Sequence, residues 1–326
     1  MQYFNKHKSI GCADAGGASN DVLCECCAQT IAQPIDLTTL RVSALKLTTT
    51  DHRSDSAGLT YIYPVISRRM GGLSIGINFN TNNACNWRCI YCQVPDLKIG
   101  AAPKIDLELL EQELRAFLID VKEGDFYDRY NVDTDKRIIK DIAIAGNGEP
   151  TSLKDFASAV KLIGKIATEA GIFPDSPYVL ITNGSLIHQT NVQAGLSALK
   201  AYGGEVWFKF DSATEEGRAL TNHASQSSKT SLNNLLLSAS LCPTKLQICL
   251  VDYDEQGFSN KERLAFIDLF KTLKQLDCQL EDILLYTIAR PSLQPEAPRI
   301  RPLDTAILNH FAAEIRLLDY KVSVTA

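Results

Sequence analysis

The sequence predicts an α/β fold built on a parallel sheet, and two observations carry that expectation. Six short apolar runs are each followed by a longer segment with helical spacing, and such alternation pairs strands in parallel through right-handed crossovers. The polar and glycine-bearing motifs fall where these runs end, which is where the chemistry of parallel α/β folds gathers. The 326 residues can bury a large core, as one barrel-like domain or two small ones. The residue pattern by itself leaves a doubly wound sheet and a barrel both open.

Leu73–Ile77 alternates apolar with small residues and reads as the first strand. Leu107–Lys122 places Leu110, Leu114, Phe117, Leu118 and Val121 at helical spacing, and Gly124 stops it. Arg137–Ala145 is an apolar, β-branched strand ending in Gly-Asn-Gly-Glu-Pro, and the helix Leu153–Ala170 follows with Thr151 or Ser152 as its N-cap. Tyr178–Thr182 is the third strand and ends in Asn-Gly, before a helix over Asn191–Ala201. Glu205–Asp211 is the fourth strand, followed by the helix Leu232–Leu241. Leu246–Val251 with Lys261–Leu273, and Asp282–Ile288 with Asp304–Leu318, complete the repeats. Lys321–Thr325 adds a short terminal strand.

Lys6, His7 and Lys8 are followed by no apolar stretch, so no signal peptide is expected. No apolar run approaches the ~20 residues of a membrane span. Ten cysteines without a secretion signal point to a reducing cytoplasm and to metal or redox use. A net charge of −5 and a pI near 5.6 argue against a broad nucleic-acid surface.

Between the first strand and the first helix stands Cys85-Asn-Trp-Arg-Cys89-Ile-Tyr-Cys92, a C-x3-C-x2-C run. Three thiolates this close can hold three iron corners of a [4Fe–4S] cubane, and no fourth cysteine follows locally. Ordinary electron-transfer clusters take four, so an open corner points to chemistry there. A structural zinc site wants four ligands, usually as two close pairs, yet the other C-x2-C, Cys24 to Cys27, lies far off in the N-terminal segment and the five histidines are scattered. A disulfide would leave one thiol over and needs an oxidising compartment.

Further polar motifs sit at the strand ends. In Ala145-Gly146-Asn147-Gly148-Glu149-Pro150 the glycines let backbone approach a ligand closely, or simply make a tight turn with a solvated glutamate. The lysine and Ser/Thr of a nucleotide P-loop are absent from it. Asn183 and Ser185, in Thr182-Asn183-Gly184-Ser185, suit a ribose or carboxylate contact, or an ordinary Asn-Gly turn. On the fourth strand, period two puts Trp207, Lys209 and Asp211 on one face and Val206, Phe208 and Phe210 on the other. A lysine and an aspartate there must be paired or bound to a ligand. Tyr286 and Arg290 add a polar site on the sixth strand and its exit, where the Arg290 fork suits a carboxylate or phosphate.

The cysteine run, with Tyr91 as the aromatic before its last cysteine, resembles the cluster motif of the radical S-adenosylmethionine (SAM) superfamily. The Gly146–Pro150 turn resembles that superfamily's G-G-E-P element, with Asn147 replacing the second glycine. Ser67-Arg68-Arg69-Met70-Gly71-Gly72-Leu73-Ser74-Ile75-Gly76-Ile77-Asn78 looks like the lead-in of its wyosine-synthetase-related group, which makes a tricyclic base in tRNA and includes many bacterial proteins without an assigned reaction. Gly148–Leu153, Leu180–Leu186 and Tyr286–Ser292 fit the same group, so the likeness runs from about residue 60 to the end. The resemblance implies an open, partial (β/α)6 TIM-like barrel of parallel strands. It implies a [4Fe–4S] cluster on Cys85, Cys89 and Cys92, and SAM held near Tyr91 by Gly146, Asn147, Gly148, Glu149, Asn183 and Ser185. It implies one-electron cleavage of SAM to a 5′-deoxyadenosyl radical that takes hydrogen from a substrate, with Lys209, Asp211, Tyr286 and Arg290 facing SAM or substrate. A flavodoxin or ferredoxin would supply the electron.

Residues 1–57 read as a cysteine-containing N-terminal extension to a core over residues 58–326. Cys12 and Cys24 match one interval of the N-terminal cysteines with which wyosine synthetases hold a second cluster, but no third cysteine follows at the next. Cys12, Cys24 and one of the adjacent Cys26 and Cys27 would build such a site; otherwise the segment is a thiol-bearing lid. Cys242, Cys249 and Cys278 lie in apolar segments and read as small core residues. Acidity and the lack of an RNA-binding module favour a small-molecule or peptide substrate over a tRNA base, and a non-catalytic iron–sulfur scaffold or sensor is the other alternative.

Overall fold

The structure is a computed structural model and describes Leu47, residues 58–67 and residues 71–325. The second-cluster expectation at Cys12, Cys24, Cys26 and Cys27, the extension over 1–57 apart from Leu47, and the Arg68–Met70 part of the lead-in lie outside the described residues.

In chain order the elements are β1 (Ile62–Ser67), β2 (Gly72–Ile77), two-residue β3 (Ala84–Cys85) and β4 (Lys98–Ile99), α1 (Leu107–Glu123), α2 (Phe126–Arg129), β5 (Ile139–Ile144), α3 (Phe156–Glu169), β6 (Tyr178–Thr182), α4 (Thr190–Ala201), β7 (Glu205–Lys209), α5 (Glu215–Asn222), α6 (Ser228–Leu241), β8 (Thr244–Cys249), β9 (Val251–Tyr253), α7 (Asn260–Gln275), β10 (Ile283–Tyr286), β11 (Ile300–Pro302), α8 (Thr305–Arg316) and β12 (Val322–Thr325). The main sheet runs β1-β2-β5-β6-β7-β8-β10-β12. Only β1 is antiparallel to its neighbour; every other pairing is parallel. A doubly wound sheet reverses its strand order part-way, whereas this one follows the chain without reversal and ends at β1 and β12. It is the curled, open barrel, which settles the alternative the residue pattern left open.

Period two divides every strand between two environments. Leu73, Ile75, Ile142, Leu180, Phe208 and Leu246 join the large core beneath the helices. Ala143, Val179 and Trp207 form a separate small apolar cluster on the concave side, flanked by Ile181 and Leu284. The expected split of Trp207 from Val206, Phe208 and Phe210 is therefore present.

Several elements depart from the expectations. β1 was not anticipated, because Pro64 demotes Ile62–Ser67 as a strand; its place at the sheet's edge is where a proline is tolerated. α5 was not anticipated either, because Glu215–Asn222 is largely polar; Thr214 caps it by accepting from the Gly217 N–H. Thr151 and Ser152 do not cap α3. They belong to a short 3-10 turn whose own cap is Glu149, and α3 starts later, at Phe156.

Candidate functional site

The cysteine loop leaves the end of β2 and is held from three sides. Asn80 donates to the Ala84 carbonyl at 2.8 Å. The Arg88 and Ile90 N–H groups donate to the carbonyls of Asn222 (3.1 Å) and Thr221 (2.8 Å). Those carbonyls are free because α5 ends there, at left-handed His223. The Arg88 guanidinium forks onto Glu296 with two 2.8 Å bonds, and Ser292 donates to the Ile90 carbonyl at 2.7 Å.

Cys85, Cys89 and Cys92 are all free and partly exposed. Each sulfur accepts an N–H hydrogen bond: Cys85 from Trp87 at 3.4 Å, Cys89 from the Asn222 side chain at 3.2 Å, and Cys92 from Val94 at 3.5 Å. Burial pushes the Cys89 thiol up to about 11 and raises Cys85 and Cys92 as well, so it is a metal's charge that would make them thiolates. Among the described residues no three His, Cys, Asp or Glu side chains converge on one ion position. A cubane does not ask for that, since each thiolate takes a different iron. Three thiols, each given an N–H donor, fit such a cluster.

The Gly146–Glu149 turn lies against the start of this loop. Gly146 has φ +149°, and a Cβ there or on Gly148 would come closer than 3.0 Å to Asn78 or to the Ala84 carbonyl. Asn147 is anchored through its N–H to Asn78 (3.1 Å) and its side chain to Asn83 (2.8 Å). Glu149 is buried and turned inward. One carboxylate oxygen accepts from the Thr151 N–H (3.1 Å) and the Thr151 and Thr182 hydroxyls (2.5 and 2.6 Å), and the other from the Asn183 N–H at 2.7 Å. Its carboxylate thus ties the end of β5 to the end of β6, and burial raises its pKa. Asn183 and Ser185 meet the cysteine loop through Asn86, which accepts from Asn183 at 2.8 Å and donates to Ser185 at 2.7 Å.

Lys209, Asp211 and Tyr286 come together above the concave face. Lys209 Nζ lies 3.6 Å from Asp211, donates to Tyr286 Oη at 3.1 Å and sits 5.0 Å from the centre of the Tyr91 ring. Asp211 accepts from the Tyr91 hydroxyl, from Asn222 at 2.8 Å and from the Cys249 N–H at 3.0 Å. Burial alone would lower the Lys209 pKa; Asp211, then Tyr286, outweigh it and hold the ammonium well above the ordinary lysine value. Arg290, half-buried beyond β10, acts electrostatically on Tyr63 of β1. Cys249 is not only a core residue: it lies on the concave side, its N–H on Asp211.

Sequence reasoning missed Asn86 and Asn222. Asn86 carries no signal beyond its place between two cysteines, and Asn222 lies on the unanticipated helix. No helix among the described residues is long and apolar enough to cross a membrane.

A family model described as "Radical SAM superfamily" matches residues 79–257, from just past β2 to just past β9. The solved structure of a radical SAM methyltransferase from Sphaerobacter thermophilus aligns with a TM-score of 0.53 at 12% identity, covering 89% of this chain and 79% of that one. At that identity the likeness concerns the fold. A structure of TYW1 with a lysine–pyruvate adduct bound aligns at a TM-score of 0.46 and 16% identity, over 76% of this chain and 72% of the other. Among curated proteins, GTPase Obg of Brachyspira hyodysenteriae (strain ATCC 49526 / WA1) is 30% identical over 136 residues, which is 41% of this chain. The match spans only 17% of that protein's length.

Proposed function

The chain belongs to the radical SAM superfamily, and from that premise we propose that it is an enzyme that cleaves SAM reductively and takes hydrogen from a small-molecule or peptide substrate. The observation that carries this reading is the N–H donor given to each sulfur of Cys85, Cys89 and Cys92. When bound, a [4Fe–4S] cluster and SAM supply one-electron cleavage of the S–C5′ bond, giving methionine and a 5′-deoxyadenosyl radical. The chain's own residues would do the rest. The Gly146–Gly148 turn offers close backbone to the SAM ammonium, and Glu149 fixes that turn against β6. Asn183 and Ser185 contact the same molecule while bracing Asn86. Tyr91 stands beside SAM, and Lys209, Asp211 and Tyr286 face SAM or substrate, with Arg290 as an anion contact. The core over 58–326 would receive its electron from a flavodoxin or ferredoxin in the cytoplasm. A tRNA base is a second substrate reading, favoured by the likeness of residues 67–78 and 148–153 to the wyosine-synthetase-related group.

Anaerobic reconstitution tests this. The wild-type protein is expected to hold about four irons per chain at this site and to show a reduced-cluster electron paramagnetic resonance (EPR) signal that SAM perturbs. It should also release 5′-deoxyadenosine under dithionite. Joint replacement of Cys85, Cys89 and Cys92 by alanine should remove all three. Iron without SAM cleavage would make the protein a scaffold, and iron well above four would report a second cluster from the N-terminal cysteines.

A further inference from the structure

We propose that Asn222 is a positioning residue that raises the reduction potential of the cluster by holding an N–H hydrogen bond on the Cys89 sulfur. The inference rests on the proposed cluster at Cys85, Cys89 and Cys92. Asn222 is fully buried. Its single side-chain nitrogen lies 3.2 Å from Cys89 Sγ and 2.8 Å from Asp211 Oδ2, so its two hydrogens serve two acceptors that are anionic when the thiol is ligated. Its Oδ1 has no hydrogen-bond partner. An unpaired buried carbonyl oxygen is costly. Turning the amide over would be worse, because it would set that oxygen against a thiolate and a carboxylate. The chemistry of the neighbours therefore fixes the amide's orientation, with nitrogen toward sulfur.

The backbone holds the donor in place. The Asn222 carbonyl accepts from Arg88 and the Thr221 carbonyl from Ile90, one on each side of Cys89. The Asp211 end is equally constrained, since that carboxylate also takes the Tyr91 hydroxyl and the Cys249 N–H and pairs with Lys209. Reduction adds one electron to the cluster and makes its sulfur ligands better acceptors. A fixed N–H donor on a ligand sulfur stabilises the reduced form more than the oxidised one, and so raises the potential. Asn222 thereby links the Lys209–Asp211 pair to a ligand of the cluster.

The test is an EPR-monitored redox titration of the reconstituted full-length protein without SAM, comparing wild type with Asn222→Leu, which matches the side chain in size, and Asn222→Ala. Both variants remove the amide donor. Each is expected to be about tenfold less reduced at a fixed solution potential, a downward shift of about 59 mV for a one-electron couple. If the Leu variant fails to hold iron, the Ala variant, which adds neither bulk nor charge, carries the test. An unchanged midpoint at full iron content in either variant overturns the proposal. A wild-type protein that binds no cluster overturns the cluster reading as well, and is seen in the iron analysis before any titration.

Discussion

The two faces of one sheet obey different rules. On the convex face Leu73, Ile142, Leu180, Phe208, Leu246 and Ile283 pack into a single core under the helices. Their concave neighbours, one residue along, include Ser74, Asp141, Lys209, Gln247 and Leu284. The backbone is shared, so the difference is entirely side-chain chemistry: one face supplies burial and the other holds polar groups at a cost to stability. The concave face is itself divided. At the strand starts Glu205 pairs with Lys245 at 2.7 Å and Ser74 donates to Asp141. At the strand ends Lys209, Asp211 and Tyr286 stand beside the cysteine loop. Buried charge alone thus does not mark a site; its place at the strand ends does.

The largest stability effect is expected on the convex face. Phe208 is 1% exposed, and its ring lies so close beneath Gly184 that no Cβ fits there. Phe208→Ala should cost about 3–5 kcal/mol, read as a lowered urea midpoint. A loss below ~1 kcal/mol would mean that this face does not carry the fold.

Asp141 breaks the comparison from the other side. Burial, with Glu205 nearby, lifts its carboxyl from an ordinary 3.8 to about 6, against the Ser74 hydroxyl, which pulls it down. Below about pH 4 both folded and unfolded chains hold the proton. Between about 4 and 6 only the folded chain holds it, so stability falls as pH rises, and above 6 the full cost of the buried charge is present. Asp141→Asn should therefore be near neutral at pH 4 and stabilising by on the order of 2–3 kcal/mol at pH 8. Equal effects at both pH values in urea denaturation would show that Asp141 is not an uncompensated charge.

The sequence made much of this contrast legible, and the losses have physical causes. Alternation in Glu205–Asp211 sorts Lys209 from Phe208 because a strand's period is fixed. The cysteine spacing exposes the loop for the same reason: it is local. What was not legible depends on distant partners. Glu149 reads either as a SAM contact or as a solvated glutamate; its burial and its donors from Thr182 and Asn183 come from the next strand and leave no local signal. Asn222 needs both α5 and the cysteine loop to have meaning.

The smallest effect is expected at Gln247, and it sharpens the comparison most. Gln247 follows Leu246 on β8, pairs in register with Lys209 and Leu284, and is 4% exposed. Its Oε1 has no hydrogen-bond partner. Removing a buried polar group normally costs stability through the partner left behind, and here the Oε1 atom leaves none. Replacing the amide by an apolar side chain of similar size also ends the desolvation of that oxygen. Gln247→Leu should therefore change stability by less than about 1 kcal/mol, or raise it. Leu246→Ala, on the convex face one residue away, should cost about 2–5 kcal/mol. Thermal or urea denaturation of the two variants side by side decides it. A loss at Gln247 as large as at Leu246 would mean that the concave face supports the fold as the convex face does.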